Sequence, residues 1–348
     1  MPLTGRGHRP ASGRRIRRAS LARNFRKVHF LNVGRGDCTI IEFPSGRIGM
    51  VDIDNLRTVD PDTQRELLEA YRETWDYHLR LASQPLSGQV ERAFLAREAA
   101  KLTDPLGYFD AHIGPYKDIF RFIATHPDMD HLSGLYRLYV QETSKDSINF
   151  YYTSRHNFKV GADWSGSGYD KRDWDTYLAL TASSTDPKAT QKLQGQTGTY
   201  WTEDGVEFWA PTLTLEEQAI EQDEPNICSM VLKISYQGRS IVLGGDATAG
   251  ETWPAIYPYL NMTGISVLKA SHHGRKTGYY QLAVEEMAPW LTITSVGQKA
   301  HDATGSYRRY STYTVSLRDA GDIVITINDD GSWTYSSNAA AHWKPKLT

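Results

Sequence analysis

Three apolar runs along the chain each end in a glycine-flanked set of histidines or aspartates, and this recurrent ending constrains the fold more than any other feature. "DIFRFIATHPDMDHLSG" carries His126, Asp128, Asp130 and His131. "RSIVLGGDAT" ends on Asp246, and "ISVLKASHHG" ends on His272 and His273. Short β-branched and apolar runs punctuated by glycine read as buried strands. A single Asp before a helix is ordinarily a cap, and a single His is ordinarily a satisfied core or surface group. Their joint occurrence at three strand ends points instead to one shared rim, which is where α/β proteins commonly bind ligands. Imidazoles and carboxylates without thiolates suit first-row divalent ions such as Zn²⁺ or Mn²⁺. Six or seven such groups exceed the needs of one ion. Two ions, roughly 3.5–4 Å apart with Asp246 between them, would use them all.

The rest of the chain supplies a setting for that rim. "KVHFLNVGRGDCTIIEF" and "GRIGMVDIDN" read as three strands separated by turns, and "VEFWAPT", "NICSMVLKISYQG" and "WLTITSVG" as further strands. "GDIVITINDDGSWTYSS" reads as a terminal hairpin with an Asp-Gly turn. Residues 60–101 change to helical spacing, interrupted by Pro85 and Gly88, and predict a helical hairpin whose Trp75, Tyr77 and His78 serve packing. "LSGLYRLYVQE" predicts a helix directly after the first ligand cluster. Residues 155–200 are polar and rich in Gly, Ser, Asp and Trp, and predict surface structure only.

Charge and cysteine usage narrow the class of protein. With 39 basic and 41 acidic side chains in 348 residues, the net charge of −2 gives no global field to attract a polyanion. Cys38 and Cys228 both fall in predicted strands, so buried free thiols and a reducing, cytoplasmic setting are expected. No apolar run approaches the ~20 residues of a membrane helix, so no membrane role is expected. Residues 1–27 contain nine Arg and Lys and no acid, and read as a disordered basic arm, a solubilising tail or a phosphate contact. An organelle transit peptide would share that composition.

Several motifs together resemble a known family. "THPDMDHLSG" resembles the H-x-[HD]-x-D-H metal motif of metallo-β-lactamase-fold hydrolases. "LNVGRGDCTII", "MVDIDN", "NICSMVL", "VLGGDA", "LKASHHG" and "SVG" follow in the order of the subgroup resembling the nuclease domain of the competence protein ComEC. The resemblance spans about 28–335, within a domain bounded at 28–340, with 60–101 as an insertion. It implies an α+β, four-layer αββα sandwich carrying two divalent ions at one rim. His126 and Asp128 would hold one ion and Asp130 and His131 the other, with Asp246 between them and His272, or alternatively His273, completing the set. Asp37, Asp52 and Asn226 match positions that orient the ligands.

This sequence also departs from the family pattern. Asp128 stands where His is common, which shifts the preference toward Mn²⁺. Asp54 replaces a glycine. The third histidine of many members is not identifiable, His156 being the nearest candidate. Asp130, with Lys276 or His301 as proton donor to a leaving oxygen, would carry catalysis. The function implied is a metal-dependent phosphodiesterase using an activated water, most plausibly on DNA, with a small phosphodiester, ester or lactone as the alternative. A homo-oligomer or a protein partner stays open. The membrane portion of ComEC-type proteins is absent from this sequence, which suggests a stand-alone role.

Overall fold

Neighbouring residues along each central strand are buried on opposite faces, and this alternation builds the layers. The protein is described from a computed structural model covering residues 25–83, 87–115, 117–141, 147–158, 164, 168–297 and 304–338. One sheet has eight strands, comprising β1 (Phe25–Phe30), β2 (Thr39–Glu42), β3 (Ile48–Val51), β4 (Ile119–Ile123), β5 (Ser147–Tyr152), β6 (Lys188–Gln191), β13 (Ile323–Asn328) and β14 (Trp333–Ser337). Its order is β14-β13-β1-β2-β3-β4-β5-β6. The other sheet contains β7 (Val206–Ala210), β8 (Val231–Tyr236), β9 (Arg239–Leu243), β10 (Ile265–Lys269), β11 (Leu291–Thr294) and β12 (Tyr313–Ser316), in the order β12-β11-β10-β9-β8-β7.

Ile41, Ile123, Ile241 and Val267 point into one core between the sheets. Their neighbours Ile40 and Phe122 turn outward to meet α4 (Pro105–His112) and α6 (Lys171–Ala182), through Leu106, Phe109, Trp174 and Tyr177. Val242 and Leu268 turn outward on the other side, against α8 (Leu213–Gln222), α9 (Thr252–Ile256) and α10 (Gln281–Met287). Three apolar layers between helix, sheet, sheet and helix make the expected αββα sandwich.

Strands β3 to β6 run parallel, as do β9 to β12, so their C-terminal ends share a rim. Asp52 N–H donates to Ile123 O at 2.9 Å and Gly244 N–H to Lys269 O at 3.1 Å, which keeps adjacent strand ends level. Met230 N–H donates to Thr125 O at 2.8 Å and ties the two sheets together there.

Four expectations need correction. Strand β1 begins at Phe25, so Arg26 and Lys27 belong to the sheet and not to the arm; Arg26 is buried. Residues 1–24 lie outside the described residues. The segment expected as a two-helix hairpin holds α1 (Pro61–Arg72), α2 (Trp75–Ser83) and α3 (Ser87–Ala99). Thr74 makes the extra break: its hydroxyl donates to Tyr71 O at 2.6 Å and accepts from Tyr77 N–H at 3.3 Å, a local alternative to continuing the helix. Residues 225–228 form a 3-10 turn, not the start of a strand, because β8 begins only at Val231. Within 155–200, α6 and the edge strand β6 extend the eight-stranded sheet. Both cysteines are buried and free.

Candidate metal centre

The first cluster sits between β4 and α5 (Met129–Leu132). Asp128 caps that short helix, its Oδ1 accepting Met129 N–H at 2.7 Å. His126, Asp130 and His131 are buried. Asp246 follows β9, and the two histidines follow β10, with His272 and His273 both left-handed at φ +49° and +61°. Consecutive non-glycine residues in that region cost of order 1–3 kcal/mol each. The strain turns both rings toward Asp246.

Each imidazole presents Nε2 inward, and three of the four are fixed from behind by a hydrogen bond at Nδ1, the His273 Nδ1 having none. His126 Nδ1 faces Thr125 Oγ1 at 3.1 Å and Ser229 Oγ at 3.4 Å. His131 Nδ1 donates to Asp52 Oδ2 at 2.8 Å. His272 Nδ1 meets Thr277 Oγ1 at 2.8 Å, and His273 Nδ1 lies 3.5 Å from Asp37 Oδ1. Around Asp246 the four Nε2 atoms stand at 3.9 Å (His126), 3.2 Å (His131), 3.7 Å (His272) and 3.2 Å (His273). His273 Nε2 is also 3.3 Å from Asp130 Oδ2.

Nε2 of His126, His131 and His273 and Oδ1 of Asp246 are buried without a hydrogen-bond partner. Buried polar atoms are rarely left so. A divalent cation satisfies them together, so the donor set fits a metal. Two sets of donor atoms adjoin, His126–His131–Asp246 and Asp130–His131–His273, and a third joins Asp37 to Asp246 and His273. The resemblance paired His126 with Asp128 and Asp130 with His131. The donor groups join His126 to His131, and His273 lies deeper than His272, while one Asp128 oxygen, Oδ1, accepts the bond at the helix cap.

Electrostatics follow from burial and neighbours. Burial pushes His126 down to about 3, with the His131 charge adding to it. Burial opposes the charged form of His273 too, but Asp246 and Asp130 outweigh it and raise that ring to about 10. His131 is likewise raised, Asp246 and Asp52 overcoming burial. Burial and then Asp130 raise Asp128 to about 7, and burial raises Asp54 to about 7. The field at the centre favours positive charge.

The supporting shell extends through Asp52 and Asp37. Asp52 accepts Thr125 N–H and Oγ1–H, both at 2.7 Å. Asp37 accepts Lys269 Nζ at 2.6 Å and Ser295 Oγ at 2.7 Å, so the buried Lys269 anchors it. Asn226 acts at one remove. Its backbone carbonyl accepts Ser229 N–H at 3.1 Å, and Ser229 Oγ accepts Asp246 N–H at 2.8 Å, while its side-chain Oδ1 is buried without a hydrogen-bond partner.

Not every predicted residue joins the centre. Lys276 lies on an exposed turn and makes no ion pair with the cluster among the described residues. His301 falls outside the described residues. His156 packs edge-on to Phe158, 4.8 Å between centroids, and is in none of the donor groups. The sequence reading missed Thr125, Ser229, Thr277 and Ser295, although Thr125, Ser229 and Ser295 lie within quoted motifs and Thr277 stands three residues beyond "HHG". It also passed over Arg35, next to "GD", and Arg275, next to "HHG", although both adjoin recognised motifs.

No protein-family model matches the chain, and no curated protein matches its sequence. Among solved structures, the chain is similar to the metallo-β-lactamase fold protein YhfI from Bacillus subtilis, at 9% identity and a TM-score of 0.41, over 83% of this chain and 95% of that one. It is also similar to a long form RNase Z from yeast, at 9% identity and a TM-score of 0.37, over 88% of this chain and 42% of that longer one. The chemistry of the centre rests on its own geometry. No helix among the described residues is long and apolar enough to cross a membrane.

Proposed function

We propose that the protein is a metal-dependent phosphodiesterase that hydrolyses nucleic acid, with DNA as the preferred substrate. One observation carries the metal-dependent part: Nε2 of His126, His131 and His273 and Oδ1 of Asp246, from three strand ends, are buried together without a hydrogen-bond partner. His126, Asp128, Asp130, His131, Asp246 and His273, with His272 beside them, would hold two divalent ions, Mn²⁺ being favoured because Asp128 adds a carboxylate where His is common. When bound, such ions polarise the phosphoryl group and lower the pKa of water. Asp52, Thr125, Ser229 and Thr277 hold three of the imidazoles in the tautomer and orientation this requires. The phosphodiester assignment rests on the resemblance of the ordered motifs and on the arginines at the mouth of the centre.

A second reading, a small phosphodiester, ester or lactone as substrate, is favoured by the insertion. Arg35, beside the centre, lines one small pocket with Asp60, Thr63 and Leu67 of the insertion, which therefore walls that side of the mouth. The deciding experiment is cleavage of labelled single- and double-stranded DNA by metal-stripped protein reloaded with Mn²⁺ or Zn²⁺. Metal-dependent cleavage is expected. Two bound ions with no cleavage of DNA, but turnover of a small ester, would favour the second reading.

A further inference from the structure

We propose that Arg35 and Arg275 form a clamp at the mouth of the centre that grips the non-bridging oxygens of a substrate phosphoryl group. The proposal rests on the phosphodiesterase reading above and names what selects its substrate.

Both arginines stand on backbone that is fixed against the ligands. Asp37 N–H donates to Asp130 O at 3.2 Å. A Cβ at Gly36 would lie 2.1 Å from Asp130 O and 2.4 Å from Asp54 Oδ2, so only glycine allows this loop to lie on the ligand motif. Arg35 is thereby held beside Asp130, its Nε 3.6 Å from Oδ2, beyond hydrogen-bond reach. That Nε is buried without a partner, yet the side chain is 37% exposed, so the guanidinium spans from the ligand to the solvent.

On the other side, Gly274 has φ +95°, and a Cβ there would lie 2.5 Å from Thr294 Cγ2. Arg275 N–H donates to His272 O at 2.9 Å. Arg275 follows by two residues His273, the ring that meets Asp130, and Arg35 flanks the same carboxylate, so both side chains leave backbone packed next to Asp130. Asp130 already faces His273 Nε2 at 3.3 Å and serves two cations incompletely. Paired guanidiniums offer a planar set of donors that matches a phosphoryl group in two-point contact.

The test uses the full chain loaded with Mn²⁺ and compares Arg35→Gln/Arg275→Ser and Arg35→Lys with the wild type. KM and kcat are read with bis(p-nitrophenyl) phosphate, metal content is measured directly, and inorganic phosphate binding is followed by calorimetry. The double variant is expected to raise KM and weaken phosphate binding about 10- to 100-fold, the scale of losing charged hydrogen bonds, with kcat changed less than KM and metal content retained. Arg35→Lys should recover part of the loss. Unchanged KM and phosphate binding, or a loss tracking metal content alone, overturns the clamp and leaves the arginines as counter-charges to Asp130. A wild type that cleaves no phosphodiester, but binds phosphate through these arginines, overturns the phosphodiesterase reading and keeps the clamp.

Discussion

Two buried charged clusters lie between the same two sheets, and they differ in what closes them. Asp204, just after α7 (Thr199–Glu203), accepts from Arg121 Nη2 at 2.5 Å, Arg47 Nη1 at 3.2 Å and Ser45 Oγ at 2.7 Å. Its carbonyl accepts from Arg26 Nη2, while Arg26 Nη1 donates to Ser235 O at 2.9 Å. The guanidinium nitrogens without hydrogen bonds, Arg26 Nε and Arg121 Nε and Nη1, belong to groups lying over aromatic faces. Arg121 is 4.2 Å from the Trp201 centroid and Arg26 is 5.2 Å from that of Phe43. Burial, partly offset by Asp204, brings Arg26 down to about 10. At the other end of β4, the histidine and aspartate cluster aims its inner atoms at one another, at 3.2 Å from Asp246 for His131 and His273, yet leaves Nε2 of both and Asp246 Oδ1 without a hydrogen bond. Buried charge alone therefore does not mark a site. Unpartnered, convergent atoms do.

The sharpest way to break this comparison is to exchange the roles of its two aspartates. Asp246→Ala should abolish phosphodiesterase activity, on the order of 10³-fold or more given several kcal/mol of lost charge stabilisation. The metal-free variant should lose less stability than Asp204→Ala, because His131 and His273 can shed their protons when the counter-charge that raises them is removed, whereas the Arg121 guanidinium cannot. A metal-free Tm as low as that of Asp204→Ala would place Asp246 among the structural charges instead. Asp204→Ala should do the reverse. Removing one partner of a buried ion network costs about 3–5 kcal/mol, read by urea unfolding, while the activity per folded molecule persists. Adding saturating Mn²⁺ should raise the Tm of Asp204→Ala and leave that of Asp246→Ala unmoved.

Asp52→Asn probes the supporting shell, because Asp52 holds His131 Nδ1 and both donors of Thr125. A 10- to 100-fold loss in metal affinity by competition with a chelator is expected, since outer partners of ligating histidines are worth about that much. Unaltered affinity would mean that the ring is oriented by packing alone. The smallest effect concerns the arm. Deleting residues 1–24, and not 1–27, spares the buried Arg26 and strand β1. DNA retention should fall and its salt dependence should flatten. An unchanged salt slope would assign all phosphate contact to the folded body.

Periodicity and punctuation in the sequence carried most of the strands and the gathering of His and Asp at their ends, whereas the four layers were implied by the motif resemblance. His126, Asp130, His131, Asp246 and His273 were legible because each stands at the end of an apolar run, and parallel strands must bring such ends to one rim. Asp52 and Asp37 were legible through the motif resemblance. The break at Thr74 was not, because a hydroxyl competing for Tyr71 O leaves no mark on apolar spacing. Nor was the strand hidden within 155–200: β6 lies at a sheet edge and only partly buries its residues, so it lacks the apolar run that announces a central strand.

Residue types and their local order were thus fixed by the chain, whereas the pairing of distant groups was decided by tertiary structure. Lys269 reaches Asp37 across 232 positions, and Arg121 reaches Asp204 across 83. No local pattern encodes such a partner, because the contact exists only once both sheets have packed. The adjacent His272 and His273 make the same point at the smallest scale. They are chemically identical in sequence, and only the left-handed backbone and the depth of the rim set one against Asp130 and Asp246 and the other nearer solvent.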